Sequence, residues 1–189
     1  MNPVCVLQHN PEVPPGHLGD ALTAAGLVAN LIDLGAGEQV PSDPGEFSAI
    51  VSLGGLMGAY EEEAHPWLAA EKRLLAAAVE HGIPVLGICL GCQVLADALG
   101  GDAFAAPALE AGLLDVEVIA GDPVAGHLDR PVVVWHGDTW TPPPGATVLA
   151  RTAAAPHAFR AGSGLGIQAH PEATPEILAG WMDEQGRAR

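Results

Sequence analysis

Short runs of β-forming residues alternate with helix-like stretches from the start of the chain, and this alternation restricts the fold more than any other feature of the sequence. Val4 to Leu7 predicts a first strand, Leu18 to Ala25 a helix, and Leu31 to Leu34 a second strand. Strands and helices that alternate in this way are typical of an α/β domain with a largely parallel central sheet.

The middle of the chain continues this alternation. Ala49 to Leu53 is largely apolar, as expected for a strand covered on both faces, and Pro66 to His81 predicts a helix that begins at a proline. Val85 to Ile88 is the next predicted strand and Gly91 to Leu99 the next helix. We therefore expect a sharp turn at Cys89 between that strand and that helix.

The second half is richer in strand patterns and has no shift in composition that would mark a domain boundary. We expect one domain over residues 1–189, closed by a helix from Pro175 to about Gln185 with Thr174 as its cap. Further strands are expected at Leu113 to Ile119, Pro131 to Trp135, Thr147 to Arg151, Ala158 to Arg160 and Leu165 to Ala169.

Composition and charge exclude several classes of function. The 189 residues include 7 Lys and Arg against 23 Asp and Glu, for a net charge of −16 at pH 7. Such a chain repels phosphate backbones, so we expect no nucleic-acid partner and interpret the acidic surplus as a solvated surface.

We find neither an apolar run long enough for a membrane span nor a secretion signal at the N-terminus, and 3 cysteines do not suggest a disulfide framework. A cytoplasmic protein without a membrane partner is the expectation.

Cys89 lies on the predicted turn, within Gly87-Ile88-Cys89-Leu90-Gly91-Cys92-Gln93. A side chain on a tight strand-to-helix turn is exposed at the carboxyl end of the sheet, and flanking glycines let the backbone make the turn. The N-terminus of the following helix favours a thiolate. The pattern predicts a nucleophilic cysteine, with an unreactive core thiol as the alternative.

His170-Pro171-Glu172 is the best candidate for the base that such a nucleophile needs. It follows a predicted strand, as Cys89 does, so in a parallel sheet both groups reach the same edge. Glu172 is then placed to orient the imidazole of His170. From spacing alone, the motif is equally consistent with a polar lead-in to the last helix.

Two other polar or glycine-rich segments follow predicted strands. The backbone N–H groups of Gly54-Gly55, together with the N–H of Leu90, could donate hydrogen bonds to a developing oxyanion. The alternative is that this glycine pair only forms a turn, as most glycine pairs do. His136-Gly137-Asp138 comes after Pro131 to Trp135 and is equally consistent with a turn.

Cys89 and Cys92 also form a C-x-x-C pattern, which raises the alternative of a thiol-disulfide protein. That alternative leaves Gln93, Gly54-Gly55 and His170-Pro171-Glu172 unexplained. A single C-x-x-C supplies too few ligands for zinc, and Cys5, inside the first predicted strand, is expected in the core.

In chain order, four motifs resemble those of the class I (triad-type) glutamine amidotransferases: Leu53-Gly54-Gly55, Gly87 to Gln93, His136-Gly137-Asp138 and Gln168 to Glu172. The similarity is greatest to the glutaminase domain of GMP synthase and its stand-alone relatives, and it runs most clearly from Ser48 to Glu172. It implies a flavodoxin-like three-layer sandwich with a mostly parallel sheet and a reaction that needs neither metal nor organic cofactor.

The resemblance also implies the site residues. Cys89 would attack the side-chain carboxamide of glutamine, with His170 as base and then acid, and Glu172 orienting His170. Water would then cleave the γ-glutamyl thioester on Cys89, giving glutamate and ammonia. The oxyanion would accept hydrogen bonds from the N–H groups of Gly55 and Leu90. The glutamine would be held by Gln93 and by the backbone of Trp135, Gly137 and Asp138.

Two positions depart from the family pattern. Leu56 stands where relatives commonly have proline, which bears on the resting conformation of the Gly54-Gly55 loop. Cys92 stands where relatives usually have histidine or another residue, which admits an oxidised, inactive disulfide with Cys89.

The resemblance implies that ammonia normally passes to a synthetase, but no nucleotide-binding P-loop or synthetase segment is found in these 189 residues. We therefore expect a separate ammonia-accepting subunit or, as the alternative, a stand-alone γ-glutamyl peptidase or hydrolase. A non-catalytic binding domain of the same fold is the third possibility.

Overall fold

The computed structural model describes residues 2–182, which form a central sheet with helices on both faces. In chain order the elements are β1 (Val4–Gln8), α1 (Gly16–Ala24), β2 (Ala29–Asp33), β3 (Ala49–Ser52), α2 (Trp67–Glu80), β4 (Val85–Ile88), α3 (Leu90–Ala98), β5 (Ala103–Leu114), β6 (Glu117–Val118), β7 (Val132–Trp140), β8 (Thr147–Arg151), β9 (Pro156–Ala161), β10 (Gly164–Ile167) and α4 (Pro175–Trp181).

The central sheet has eight strands in the order β2-β1-β3-β4-β10-β9-β8-β6. Strands β2, β1, β3, β4 and β10 are parallel, and β9, β8 and β6 extend the sheet in antiparallel fashion. Strands β5 and β7 form a separate two-stranded antiparallel sheet. The predicted α/β fold with a mostly parallel central sheet is confirmed.

Alternating side chains of the central strands build a core on each face of the sheet. Cys5 and Leu7 of β1 lie in the cluster that includes buried residues of α2 and α3, whereas Val4 and Val6 lie in the cluster that packs against Leu18 of α1. Successive side chains of a strand point to opposite faces, so β1 supplies both layers of core. Cys5 is fully buried, as expected.

Strand bounds differ from expectation mainly in the second half. The sequence predicts one strand from Leu113 to Ile119, but β5 ends at Leu114 and β6 is a short separate strand at the edge of the central sheet. β5 begins at Ala103, in a segment rich in alanine with one proline and one glycine, which are weak strand formers. Pairing with β7, rather than local preference, makes this segment extended.

The last helix begins where the sequence predicts. The hydroxyl of Thr174 accepts a hydrogen bond from the N–H of Ile177 at 3.3 Å, and Pro175 is the first helical residue. The predicted end at Gln185 lies outside the described residues. Within residues 2–182, no helix combines the length and the apolar character that a bilayer-crossing segment needs.

Candidate functional site

Cys89 occupies a strained turn between β4 and α3. Its φ of 51° and ψ of −108° make it the one non-glycine residue of the described chain with a positive φ. Such a conformation costs about 1–3 kcal/mol for an ordinary side chain and is concentrated at functional sites. The Cys89 N–H donates to Ile167 O at 2.9 Å, which fixes the turn to the end of the neighbouring strand β10.

The glycines around Cys89 are required by close backbone packing. A Cβ on Gly91 would lie 2.1 Å from the carbonyl oxygen of Ser52, and a Cβ on Gly87 would lie 2.4 Å from the carbonyl oxygen of Gly91. The first turn of α3 therefore packs directly against the end of β3. This contact explains why the turn is flanked by glycine on both sides.

His170 lies at the same edge of the sheet, just beyond β10, which is parallel to β4. Its Nδ1 is 2.7 Å from Glu172 Oε1, and both side chains are buried. The indole of Trp181 packs edge-on against the imidazole, with ring centroids 4.7 Å apart. The imidazole is thus oriented by a carboxylate on one side and an aromatic ring on another.

The pKa of His170 reflects its two neighbours. Burial by itself lowers this pKa, but charge and hydrogen-bond interactions with Cys89, together with the Glu172 carboxylate, raise it to about 10. Because burial disfavours the imidazolium, the net rise in the pKa shows that the interactions with Cys89 and Glu172 outweigh burial.

Cys89 and His170 line one small cavity of about 140 Å³, together with Gly55, Trp135 and Trp181. A Cβ placed on Gly54 would lie 3.1 Å from His170 Cε1 and 3.6 Å from Cys89 Cβ. The structure therefore brings the thiol and the imidazole to the same point, next to the glycine pair.

A second cavity of about 380 Å³ adjoins the first and shares Gly55, Leu56, Cys89 and Trp135 with it. The structure brings together here all six side chains or backbone segments predicted for the oxyanion and the substrate. They are Gly55, Leu90, Gln93, Trp135, Gly137 and Asp138.

Gln93 connects α3 to the wall of this second cavity. Its Nε2 donates to the Asp138 carbonyl oxygen at 3.3 Å and approaches Gln168 Oε1 at 3.4 Å. His136-Gly137-Asp138 lies inside β7, not at a strand end or in a turn. The strand continues past the predicted end at Trp135 because β5 pairs with it along most of its length.

Sequence reasoning missed a buried polar network beneath the glycine pair. The ring nitrogens of His9 contact Gly54 O at 3.2 Å and the Glu71 carboxylate at 3.0 Å, and Ser52 Oγ donates to Glu71 at 2.7 Å. The position of His9 directly after β1, at the same sheet edge as Cys89, was the available signal. Nothing local to Glu71, in the middle of α2, pointed to this contact.

Cys92 does not face the site. It is fully buried in α3, and burial raises the pKa of its thiol well above the usual range. All three cysteines are free. A buried thiol with a raised pKa is a poor partner in thiol-disulfide exchange, so the geometry disfavours the dithiol alternative.

The sequence model of the glutamine amidotransferase class-I family matches residues 38–179 of this chain. Two curated relatives are GMP synthases [glutamine-hydrolyzing]. The one from Thermomicrobium roseum is 42% identical over 127 residues, covering 65% of this chain and 23% of the relative. The one from Aeropyrum pernix is 37% identical over 133 residues, covering 65% and 26%. The chain thus spans about a quarter of the length of these relatives.

Solved structures agree over nearly the whole chain. A glutamine amidotransferase from Thermotoga maritima superposes with a TM-score of 0.88 at 31% identity, covering 95% of this chain and 80% of that one. A glutamine amido transferase from Methylobacillus flagellatus gives a TM-score of 0.88 at 28% identity, covering 96% and 74%.

Proposed function

This chain belongs to the class-I glutamine amidotransferase family, and on that premise we propose that it hydrolyses the side-chain amide of glutamine to glutamate and ammonia. The observation that carries the proposal is the strained turn that presents Cys89 to a cavity shared with His170, whose imidazole is bound to Glu172. The family match and the continuous central sheet also support one catalytic domain.

Cys89 is the proposed nucleophile and His170 its base. Because Nδ1 of His170 is bound to Glu172, Nε2 is the nitrogen that remains to take the thiol proton. The thiolate attacks the carboxamide carbon of glutamine, and the Glu172 carboxylate stabilises the imidazolium that results. The raised pKa of His170 is consistent with this arrangement, since it reflects a proton stabilised by interactions with Cys89 and Glu172.

The tetrahedral intermediate carries a negative oxygen that needs donors. Leu90 is the first residue of α3, where helix geometry leaves the backbone N–H without an intrahelical acceptor, and Gly55 lines the same cavity. We assign these two N–H groups to the oxyanion. Donors fixed by the backbone need no reorganisation during the reaction, which is the basis of their stabilising effect.

Collapse of the intermediate needs a proton on the leaving nitrogen. The imidazolium of His170 supplies this proton, the C–N bond breaks, and ammonia leaves. The γ-glutamyl group stays bound to Cys89 as a thioester. Water, deprotonated by His170, then attacks the thioester carbonyl. The C–S bond breaks, the thiolate recovers its proton, and glutamate is released.

The larger cavity is the proposed glutamine site. The Gln93 side chain and the backbone of Trp135, Gly137 and Asp138 surround it and offer both donors and acceptors for an amino acid. The carboxylate of Asp138 also accepts a hydrogen bond from the hydroxyl of Tyr60 at 3.4 Å.

The proposed destination of the ammonia is a separate synthetase. Leu56 and Leu109 line the glutamine cavity and yet are 73% and 58% exposed. Exposed apolar side chains beside a site are typical of a surface that contacts another protein. Leu56, at the position where relatives commonly have proline, thus lies where a partner would cover the cavity.

Incubation of the wild-type protein with glutamine, and separately with γ-glutamyl peptides, tests the proposal by the release of ammonia and amino acid. We expect ammonia from glutamine, loss of at least roughly 10⁴-fold activity in Cys89→Ser, and retention of activity in Cys92→Ser. Release of amino acid from γ-glutamyl peptides with no ammonia from glutamine would assign the hydrolase function instead.

Background rates in both wild type and Cys89→Ser, repeated in the presence of candidate synthetases, would assign a non-catalytic binding domain. Equal loss in Cys92→Ser and Cys89→Ser would assign the thiol-disulfide function.

A further inference from the structure

Three side chains from three strands, to which the proposed reaction assigns no role, meet beside β7. We propose that Glu110 of β5, His136 of β7 and His157 of β9 bind a divalent transition-metal ion, with Zn²⁺ as the best fit, that fastens the two-stranded sheet to the central sheet. Their candidate ligand atoms all lie within 4.8 Å of one another. The proposal is independent of glutamine hydrolysis.

The two separations that involve Glu110 suit tetrahedral coordination. Glu110 Oε2 lies 3.4 Å from His136 Nε2 and 3.2 Å from His157 Nε2. Zn–N and Zn–O bonds of about 2.0–2.1 Å at tetrahedral angles place neighbouring ligand atoms about 3.3 Å apart. An ion therefore fits between these atoms with little movement of the side chains, and two histidines with one glutamate are an established ligand set for zinc.

The hydrogen bonding of His136 favours a cation over a direct contact with Glu110. Its Nδ1 lies 2.7 Å from the carbonyl oxygen of Asp138, and a carbonyl only accepts, so Nδ1 carries the proton. In the neutral ring Nε2 then carries a lone pair, and this lone pair faces an oxygen of the Glu110 carboxylate. Two acceptors that face each other in a buried place need either a proton or a metal cation between them.

Both histidines are buried in the described structure. His136 is 5% exposed and His157 is fully buried. Within the described chain, His136 Nε2 has no hydrogen-bond partner. Neutral imidazole with a free lone pair is the form that binds zinc.

The surroundings supply outer contacts to two of the three proposed ligands, whereas Nδ1 of His157 has no hydrogen-bond partner within the described chain. Thr152 Oγ1 donates to Glu110 Oε1 at 2.9 Å, which leaves Oε2 directed to the two histidines. The Asp138 carbonyl holds His136 through Nδ1 in the same way. Ligands oriented by such second contacts are typical of real metal sites.

The position of the site connects it to the glutamine cavity. Glu110 and His136 are directly paired across β5 and β7, and His136 stands between Trp135 and Gly137 in the strand that lines the cavity. His136 also lines that cavity. A bound ion would stiffen the strand that supplies the proposed substrate contacts.

Titration with Zn²⁺ and with Co²⁺ tests the proposal, using protein that carries Cys89→Ser so that no metal binds at the thiol. We expect one equivalent to bind, an increase in the melting temperature with Zn²⁺, and visible Co²⁺ absorption of tetrahedral intensity without a thiolate charge-transfer band. In this background, Glu110→Gln and His157→Asn should each lower the affinity by more than about 100-fold, because a direct ligand matters more than an outer contact.

Two comparisons make the result specific. Thr152→Val should weaken binding by roughly 10-fold while Thr152→Ser, which keeps the hydroxyl, should not, and exposed His81→Gln should bind as the parent does. Near-ultraviolet circular dichroism checks that each variant is folded. If the ligand variants do not fold, the Co²⁺ spectrum of the parent decides, since tetrahedral bands support the site.

The proposal is overturned if the parent shows no saturable binding, if Co²⁺ gives only weak octahedral absorption, or if folded Glu110→Gln and His157→Asn proteins bind as tightly as the parent.

Discussion

His9 and Glu71 form a buried pair, with His9 Nε2 3.0 Å from the Glu71 carboxylate and neither side chain exposed. The other ring nitrogen of His9 contacts the carbonyl of Gly54, so both nitrogens face acceptors and both must donate. Burial alone lowers the pKa of His9, but Glu71 and the backbone carbonyl raise it above its ordinary value. The imidazolium therefore ties α2 to the loop that carries the proposed oxyanion donor Gly55.

Replacing His9 should disturb the oxyanion loop more than it disturbs glutamine binding. In His9→Gln we expect kcat to fall roughly 10- to 100-fold with little change in KM, because the loss falls on a transition-state contact. Steady-state glutaminase kinetics measure this split. The exposed His81→Gln protein serves as the control, and a rise in KM at constant kcat would contradict the role.

Removing the charge partner should also lower stability. His9→Leu leaves the Glu71 carboxylate buried without its counter-charge, which typically costs about 3–5 kcal/mol. Urea unfolding of the variant and the wild type gives the difference in free energy. A difference below about 1 kcal/mol would mean that the pair is not charged in the folded protein.

The glycines of the turn should not tolerate a methyl group. Gly91→Ala places a Cβ 2.1 Å from a backbone oxygen of Ser52, and backbone cannot give way as a side chain can. We expect a loss of at least about 1–3 kcal/mol in the free energy of unfolding, together with loss of activity. Gly126→Ala, where the added methyl meets nothing within 4 Å, is the matched control. Equal melting temperatures for the two variants would refute the packing argument.

The pKa of His170 should depend on Cys89. In Cys89→Ala we expect it to fall well below about 10, because the interaction with Cys89 is lost while burial still disfavours the imidazolium. Titration of the histidine ring signals by NMR in both proteins measures the change. An unchanged pKa would show that Glu172 alone sets it.

The same shift predicts how stability depends on pH. A folded-state pKa raised from 6.5 to about 10 means that folded protein binds this proton more tightly than unfolded chain. The stabilisation is fully present below pH 6.5 and is lost as the pH rises to about 10, at no more than about 1.4 kcal/mol per pH unit. Cys89→Ala should flatten this dependence in urea unfolding measured across that range.

Gln93 should contribute to glutamine affinity. In Gln93→Met, which keeps the length of the side chain but removes its hydrogen bonds, we expect KM for glutamine to rise roughly 10-fold, the value of one typical hydrogen bond. Calorimetric binding of glutamine to Cys89→Ser, with and without the second substitution, separates affinity from chemistry. Equal affinities would remove Gln93 from the proposed site.

Much of the fold was predictable because its signals are local. The strand Val85–Ile88, the turn at Cys89 and the helix after it follow from apolar residues and glycines next to one another in sequence. The catalytic roles of Cys89, His170 and Glu172 remain predictions, but the sequence pattern and the family resemblance selected the residues that the fold brings to one edge of the sheet.

What the amino-acid sequence by itself determined is therefore the layered α/β arrangement and the residues at the carboxyl ends of its strands, since alternation and turn chemistry act over a few residues. Only the tertiary structure determined which side chains distant in the sequence contact each other. Glu71 meets His9 across 62 positions of the chain, and His157 meets Glu110 across 47. Such contacts depend on which strands and helices become neighbours and in what register, which no local preference encodes.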